Sequence, residues 1–266
     1  MRNFLFITLL LLSCTTMKVP AYKPANPIVA HRGAFKKNGF PENSIASLRE
    51  AIRLGCAGSE FDVRMSADDS LVINHDPHHK KLEIEKTPYA ELIPHPLSNG
   101  EKLPTLREYL LAGVKDNIHT DLVLEIKPSG LGAERARAIV DKVISLVKEL
   151  KPSYRIVYIS FDYNMCLRLL EKMPKAHVQY LNGDKTPDQL KADGIRGMDY
   201  NYNVYKKHPE WITRAKELGI VLNVWTVNEP SMIQDFLKQG FDLITTNEPE
   251  EGLKGETCLP AGRDEG

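Results

Sequence analysis

Gly58-Ser59-Glu60-Phe61-Asp62-Val63-Arg64-Met65 reads as a β-strand. Strand side chains alternate with period two, so Ser59, Phe61, Val63 and Met65 share one face and Glu60, Asp62 and Arg64 the other. Two carboxylates therefore point the same way. After the polar turn Ser66 to Ser70, Leu71-Val72-Ile73-Asn74-His75-Asp76 can run back antiparallel and bring His75 near the pair. Taken alone, this hairpin is equally compatible with a solvated polar face, and the flanking chain has to decide.

Upstream, Pro27-Ile28-Val29-Ala30 is a short apolar strand that ends in His31-Arg32-Gly33. Glu42-Asn43-Ser44 then opens a helix through Leu54, with Asn43 or Ser44 as its cap and Gly55 as its end. Strand, helix and strand make a βαβ unit, which implies parallel neighbours. Downstream, strands are expected at Asp121 to Lys127, Arg155 to Ser160, His177 to Leu181, Gly197 to Tyr200, Ile220 to Thr226 and Asp242 to Thr246, with helices between them. Apart from the hairpin strand at Leu71, that makes eight parallel strands. The expected fold is an α/β, (β/α)8 TIM-type barrel over residues 27–253, with a segment of about 66–103 inserted after the second strand. The sixth strand has little apolar content, and only Glu248 to Leu253 is left for a last helix. A doubly wound open sheet is the competing architecture; it needs a glycine-rich loop after the first strand, where Gly33 stands alone.

The 266 residues carry 35 Lys plus Arg against 35 Asp plus Glu, with no basic arm, which argues against a nucleic-acid partner. Met1-Arg2-Asn3 followed by the apolar run Phe4 to Leu12 is too short to span a bilayer and is shaped like a secretory signal. It ends in Leu11-Leu12-Ser13-Cys14, which resembles a bacterial lipobox. Residues 1–14 are expected to be a lipoprotein-type signal peptide, residues 15–26 a tether and residues 254–266 a polar tail. Acylation of Cys14 would give an exported cell-envelope protein held to the membrane by a lipid anchor; Thr15 in place of Asp points to the outer membrane in a Gram-negative cell. Cys56, Cys166 and Cys258 remain, without a Cys-x-x-Cys pair, so neither a disulfide framework nor a zinc site is indicated.

In a β/α barrel the strand C-termini share one rim. His31 and Arg32 end the first strand, Glu60 and Asp62 lie toward the end of the second, and Glu125 and Lys127 end the third. Inward-facing charges there have no solvent, and an unpaired buried charge is too costly to keep. A divalent cation with oxygen ligands resolves the repulsion of three carboxylates, and an all-carboxylate set favours Mg2+ or Ca2+. The alternative is pairing with Arg32, Arg64 and Lys127. His78, His79, His95, His119, His177 and His208 lack carboxylates at ligand spacing and read as loop or surface residues.

His31-Arg32-Gly33, Pro41-Glu42-Asn43-Ser44, Glu60-Phe61-Asp62-Val63, His75-Asp76, Pro104-Thr105-Leu106 and Leu124-Glu125-Ile126-Lys127 resemble, in order, the motifs of the glycerophosphodiester phosphodiesterase family. Val224 to Asn228 and Ile244 to Pro249 resemble its closing motifs. The resemblance implies metal-dependent hydrolysis of small glycerophosphodiesters to sn-glycerol 3-phosphate and an alcohol. It also implies that one divalent cation is held by Glu60, Asp62 and Glu125, and that His31 and His75 are the acid and base. Arg32 and Lys127 would contact phosphate, Glu42 would lie beside the metal or a glycerol hydroxyl, and Trp225 would form part of the substrate wall. Ser44 stands where Thr is usual, and Asn247 where many members have Asp. The rival readings are a phospholipase acting on intact lipid, a non-catalytic phosphopolyol-binding lipoprotein and a Schiff-base enzyme using Lys127.

Overall fold

The computed structural model describes residues 26–151 and 156–256; the signal sequence with Cys14, the tether up to residue 25 and the tail from residue 257 lie outside them. Gly58–Met65 is a strand as the alternation predicts. It pairs in parallel with Ile28–Ala30 on one side and Asp121–Ile126 on the other. Ile156–Ser160, His177–Tyr180, Gly197–Asn201, Val221–Trp225 and Leu243–Thr246 follow around the sheet, and the last pairs back onto Ile28–Ala30. The sheet closes on itself as an eight-stranded parallel barrel, which excludes the open doubly wound alternative.

Alternation divides the core in two. Outward residues such as Phe61, Val63, Leu122 and Leu124 pack with helix residues Leu48, Leu106 and Tyr109; the Phe61 and Tyr109 rings lie 4.5 Å apart. Inward residues Val29, Val123, Val157, Ile159, Leu181 and Leu243 fill the barrel itself. Each fully buried side chain of this size contributes about 1.5–3 kcal/mol. The apolar-poor sixth strand forms because Met198 and Tyr200 bury completely on its outer face, while the Tyr205 hydroxyl donates to the Met198 and Asn223 carbonyls at 2.8 Å each.

Of the two cap candidates, Ser44 caps helix Ile45–Leu54: its hydroxyl accepts from the Ser47 N–H at 3.0 Å, and Gly55 closes the helix in the left-handed conformation. The final helix, Pro249–Glu256, takes in the first three residues of the expected polar tail. The insertion starts with Leu71–Ile73, antiparallel to the end of the second strand. It has its own small core of Val72, Ile84, Leu92 and Leu103. His79 corrects the surface reading, for it is 4% exposed inside this insertion, and its Nε2 hydrogen-bonds to the His95 carbonyl at 2.6 Å. The other five histidines read as loop or surface residues are exposed or half-buried.

Arg32 and Gly33 both have positive φ, 55° and 78°, which turns the chain sharply at the end of the first strand. A Cβ on Gly33 would stand 2.4 Å from Ser47 Oγ and 2.6 Å from the Ser47 carbonyl carbon. The Gly33→Ala variant is therefore expected to lose about 2–4 kcal/mol, from left-handed strain plus overpacking, measured by urea unfolding.

Candidate active site

The parallel register sets Asp62 opposite Glu125, with Glu60 two residues earlier on the same inward face. Glu60, Asp62 and Glu125 are all buried, and each has an oxygen within 4.8 Å of the others'. Lys127 Nζ lies 2.7 Å from Glu125 Oε1 and 3.2 Å from Asp62 Oδ1. The Arg32 backbone N–H donates to Glu60 Oε2 at 2.7 Å, and Arg32 Nε stands 3.8 Å from Asp62 Oδ2. Asn43, freed from capping, donates its amide to Asp62 Oδ2 at 2.8 Å and accepts the Asp62 N–H at 3.0 Å.

These partners do not neutralise the cluster. Arg32 is shared, because its Nη1 also donates to both oxygens of Glu42 at 3.0 and 2.9 Å. Arg64 turns away and donates to the His75 carbonyl at 3.0 and 2.7 Å. Glu60 Oε1 is left buried without a hydrogen-bond partner among the described residues. Burial, then the charges of Asp62 and Glu125, push the Glu60 carboxyl well above the usual range, and burial with Asp62 pushes Glu125 up to about 7. Burial acts on Asp62 as well, but Lys127, His75, Asn43 and Arg32 outweigh it and hold that carboxyl low. Three oxygen donors with residual repulsion and an orphaned oxygen fit a hard divalent cation. Lys127 is the reverse case: burial lowers its pKa, yet Asp62 and Glu125 more than offset this and keep it an ammonium, which disfavours the Schiff-base reading.

His31 Nδ1 lies 2.7 Å from Asn247 Oδ1, so Nδ1 carries the hydrogen and the Nε2 lone pair faces inward, 4.0 Å from Glu60 Oε2. Burial, then Arg32, lower the His31 pKa to about 4, leaving the ring neutral at pH 7. The Asn at 247 therefore orients the imidazole with an amide oxygen. His75 reaches the same rim from the hairpin, with Nδ1 2.8 Å from Asp76 Oδ1 and Nε2 left for a ligand.

A pocket of about 110 Å3 is lined by His31, Arg32, Glu60, His75, Glu125, Lys127 and Trp225 together with Ile159, Phe161, Leu181, Asp199, Thr226 and Thr245. Asp62 sits just behind this lining, and Glu42 reaches the site through Arg32. One wall is apolar, with the Phe161 and Trp225 rings edge-on at 5.5 Å. Tyr158, Tyr180 and Tyr200 are core residues. The exposed Lys36 pairs with Glu248 across the rim. Sequence reasoning missed Asp199, which is 2% exposed, with Oδ1 unpartnered among the described residues and its pKa raised well above normal by burial and then by Glu125. Its only sequence signal was the alternation of Met198, Asp199 and Tyr200.

Raised carboxyl pKa values mean that the metal-free folded protein holds protons the unfolded chain releases. The stability this contributes is fully present below the unfolded value near 4.5 and is lost as pH rises through about 7. Chelator-treated protein is therefore expected to lose thermal stability over this window, and Glu125→Gln to flatten the loss. Added Mg2+ or Ca2+ competes with those protons, so its increment in Tm is expected to grow with pH and to shrink in Glu60→Gln, as read by calorimetry.

The profile of the glycerophosphoryl diester phosphodiesterase family matches residues 31–251. A glycerophosphodiester phosphodiesterase of Caldanaerobacter subterraneus is 30% identical over 242 residues, covering 84% of this chain and 94% of that protein. One from Bacillus altitudinis is 26% identical, covering 85% and 96%. The crystal structure of a glycerophosphodiester phosphodiesterase from Parabacteroides distasonis superposes with a TM-score of 0.83 at 41% identity, covering 88% of this chain and 97% of that one. With the barrel closed, the insertion in place and its motifs gathered at one rim, the chain belongs to the glycerophosphoryl diester phosphodiesterase family.

Proposed function

We propose that this protein hydrolyses small glycerophosphodiesters to sn-glycerol 3-phosphate and an alcohol, using one Mg2+ or Ca2+ ion held by Glu60, Asp62 and Glu125. The observation that carries this reading is the convergence of three buried carboxylates, two imidazoles and two cations on one pocket. When bound, the cation supplies electrostatic stabilisation of the charge that builds on the phosphoryl oxygens. Arg32 and Lys127 contact those oxygens from the rim, and Arg suits a bidentate phosphate contact. Glu42 holds the Arg32 guanidinium in place and borders the glycerol site.

His31 is the base: it is neutral, its Nδ1–H is anchored on Asn247, and its Nε2 lone pair faces the pocket. It takes the proton of the nucleophile, either water or the glycerol's neighbouring hydroxyl, the second giving a transient cyclic phosphate. His75 is the acid, and its Nε2 gives a proton to the leaving alcohol. Trp225 and Phe161 form the wall for the carbon skeleton. Asp199, whose pKa burial and then Glu125 raise, hydrogen-bonds a glycerol hydroxyl through the oxygen that lacks a partner among the described residues.

Residues 1–14 act on this reading as a lipoprotein signal, Cys14 is acylated, and the enzyme is exported to the cell envelope on the tether 15–26. A purely phosphopolyol-binding role has no need of both His31 and His75. A lipid anchor also leaves intact phospholipid as a rival substrate.

The test is alcohol and glycerol 3-phosphate release from a panel of glycerophosphodiesters, beside intact phospholipid, with and without chelator. Release from the soluble diesters is expected to vanish with chelator and to fall by about 10²–10⁴-fold in His31→Ala and in His75→Ala. An undiminished rate in either variant removes that histidine from the mechanism. Turnover of the intact lipid alone selects the phospholipase reading.

A further inference from the structure

We propose that the barrel face opposite the pocket is a docking surface for an anionic phospholipid bilayer. Chain direction fixes the two faces: the pocket lies at the C-terminal ends of the strands, and every loop that precedes a strand lies at the other end. Asn26 is pinned to that second face. Its Oδ1 accepts from the Ile28 and Ala57 N–H groups at 3.1 and 3.0 Å, and its amide donates to the Gly55 carbonyl at 2.7 Å. The described chain therefore begins on the face away from the pocket.

Two features of that face match a lipid surface. The first is an open groove of about 830 Å3 between the ends of helices Ala133–Leu150 and Tyr163–Lys172 and the starts of the fourth and fifth strands. Val147, Ile156, Met173 and Pro174 give it an apolar floor, and Lys148, Lys151, Lys172 and Lys175 form an exposed rim. The second is Ile118, in the loop before the third strand, which is 82% exposed. The third strand pairs with the fourth, Leu122 opposite Ile156, so Ile118 and the groove are neighbours on this face.

The charge of this rim is only partly answered by its neighbours, Lys172 being among the charges that lower the Asp141 pKa. Glu149 pairs with Arg107 at 2.7 Å, and Asp141 and Glu171 both pair with Arg168 at 2.8 Å. None of the four lysines has a carboxylate within 4.0 Å among the described residues. A basic residue in a helix's last turn answers the helix dipole, which accounts for Lys148 and Lys172. It does not account for Lys151 and Lys175, which follow the last helical residues. In a chain of zero formal charge, four unpaired ammonium groups around an apolar floor, beside a protruding isoleucine, match phosphate headgroups above acyl chains. Docked this way, the pocket opens toward the aqueous phase, and substrate arrives from solution. Neither Cys14 acylation nor the proposed activity enters this argument.

The test uses the full chain with vesicles of phosphatidylcholine, alone or mixed with phosphatidylglycerol. The apolar run Phe4 to Leu12 can bind either kind, so the readout is the gain due to phosphatidylglycerol. Salt is expected to abolish that gain. Combined substitution of Lys148→Glu, Lys151→Glu, Lys172→Glu and Lys175→Glu is expected to remove it too, at about five-fold or more per lysine, with diesterase activity unchanged. Two tryptophan reporters give the orientation: Ile118→Trp on the docking face and Leu131→Trp, at a site 50% exposed on the pocket side. Brominated lipid is expected to quench the first and spare the second. A charge-reversed variant that keeps its preference for phosphatidylglycerol overturns the proposal, as does quenching of Leu131→Trp in place of Ile118→Trp.

Discussion

Three carboxylates buried on two adjacent parallel strands are the constraint around which this barrel is arranged. Parallel hydrogen bonding fixes Asp62 opposite Glu125, and alternation then brings Glu60 to the same side. The geometry that closes the sheet thus forces like charges together in a place without water, and leaving one of them uncompensated costs several kcal/mol. The nearby oddities of the chain answer that cost. The paired positive φ values at Arg32 and Gly33 aim the Arg32 N–H at Glu60, Asn43 gives up helix capping to hold Asp62 at two points, and Lys127 is drawn between two acids. None of these contacts satisfies Glu60 Oε1, and that residual deficit is what makes the cluster receptive to a cation.

The interior below the site shows how a packed barrel supports such a deficit. Its apolar filling of Val29, Val123, Val157 and Leu243 is shared with the buried polar residues Gln179, Asn223 and Thr245. Asn223 donates to Gln179 at 3.3 Å and accepts from Thr245 at 3.2 Å. A dry floor raises the strength of every charge interaction above it, which is why burial dominates the shifts at His31, Glu60 and Glu125 alike. The same burial that holds His31 neutral raises the carboxyls, so a neutral imidazole and a cluster of raised carboxyls are two results of one environment.

Most of the fold was legible because its signals are local and periodic. Gly58 to Met65 alternates cleanly, Gly55 and Gly219 close helices in the left-handed conformation, and charged residues at three successive strand ends could share only one rim. What stayed hidden depended on contacts distant in sequence. Asn43 and Ser44 are both good caps, and the choice between them turned on Asp62, 19 residues from Asn43. Arg64 looked like a partner for carboxylates, yet its guanidinium is spent on the His75 carbonyl. The insertion's core comes from Val72, Ile84, Leu92 and Leu103, whose spacing follows neither a helix nor a strand, so nothing in the sequence marked His79 as buried. Asp199 was masked by a strand too poor in apolar residues to stand out.

The two imidazoles rest on different scaffolds, one on the closed barrel and one on the inserted segment. His31 follows a three-residue strand hydrogen-bonded on both sides, at the seam where the barrel closes, so its position is as fixed as the barrel itself. His75 comes from the hairpin, with its carbonyl gripped by Arg64 and the rest of its support from the insertion. That insertion is in turn tied to the barrel: Asp69 pairs with Arg135 and Lys142 of helix Ala133–Leu150, and two more ties lie nearer the rim. Glu101 accepts from the N–H groups of Ile45 and Ala46 at the start of the first helix, and Glu85 accepts from Ser129 and Gly130 just beyond Lys127. A change in the insertion can therefore shift His75 and the mouth of the pocket while the carboxylate cluster and His31, built on closed-barrel strands, stay in place. Inserted segments of this kind let the mouth of a site change without rebuilding its floor.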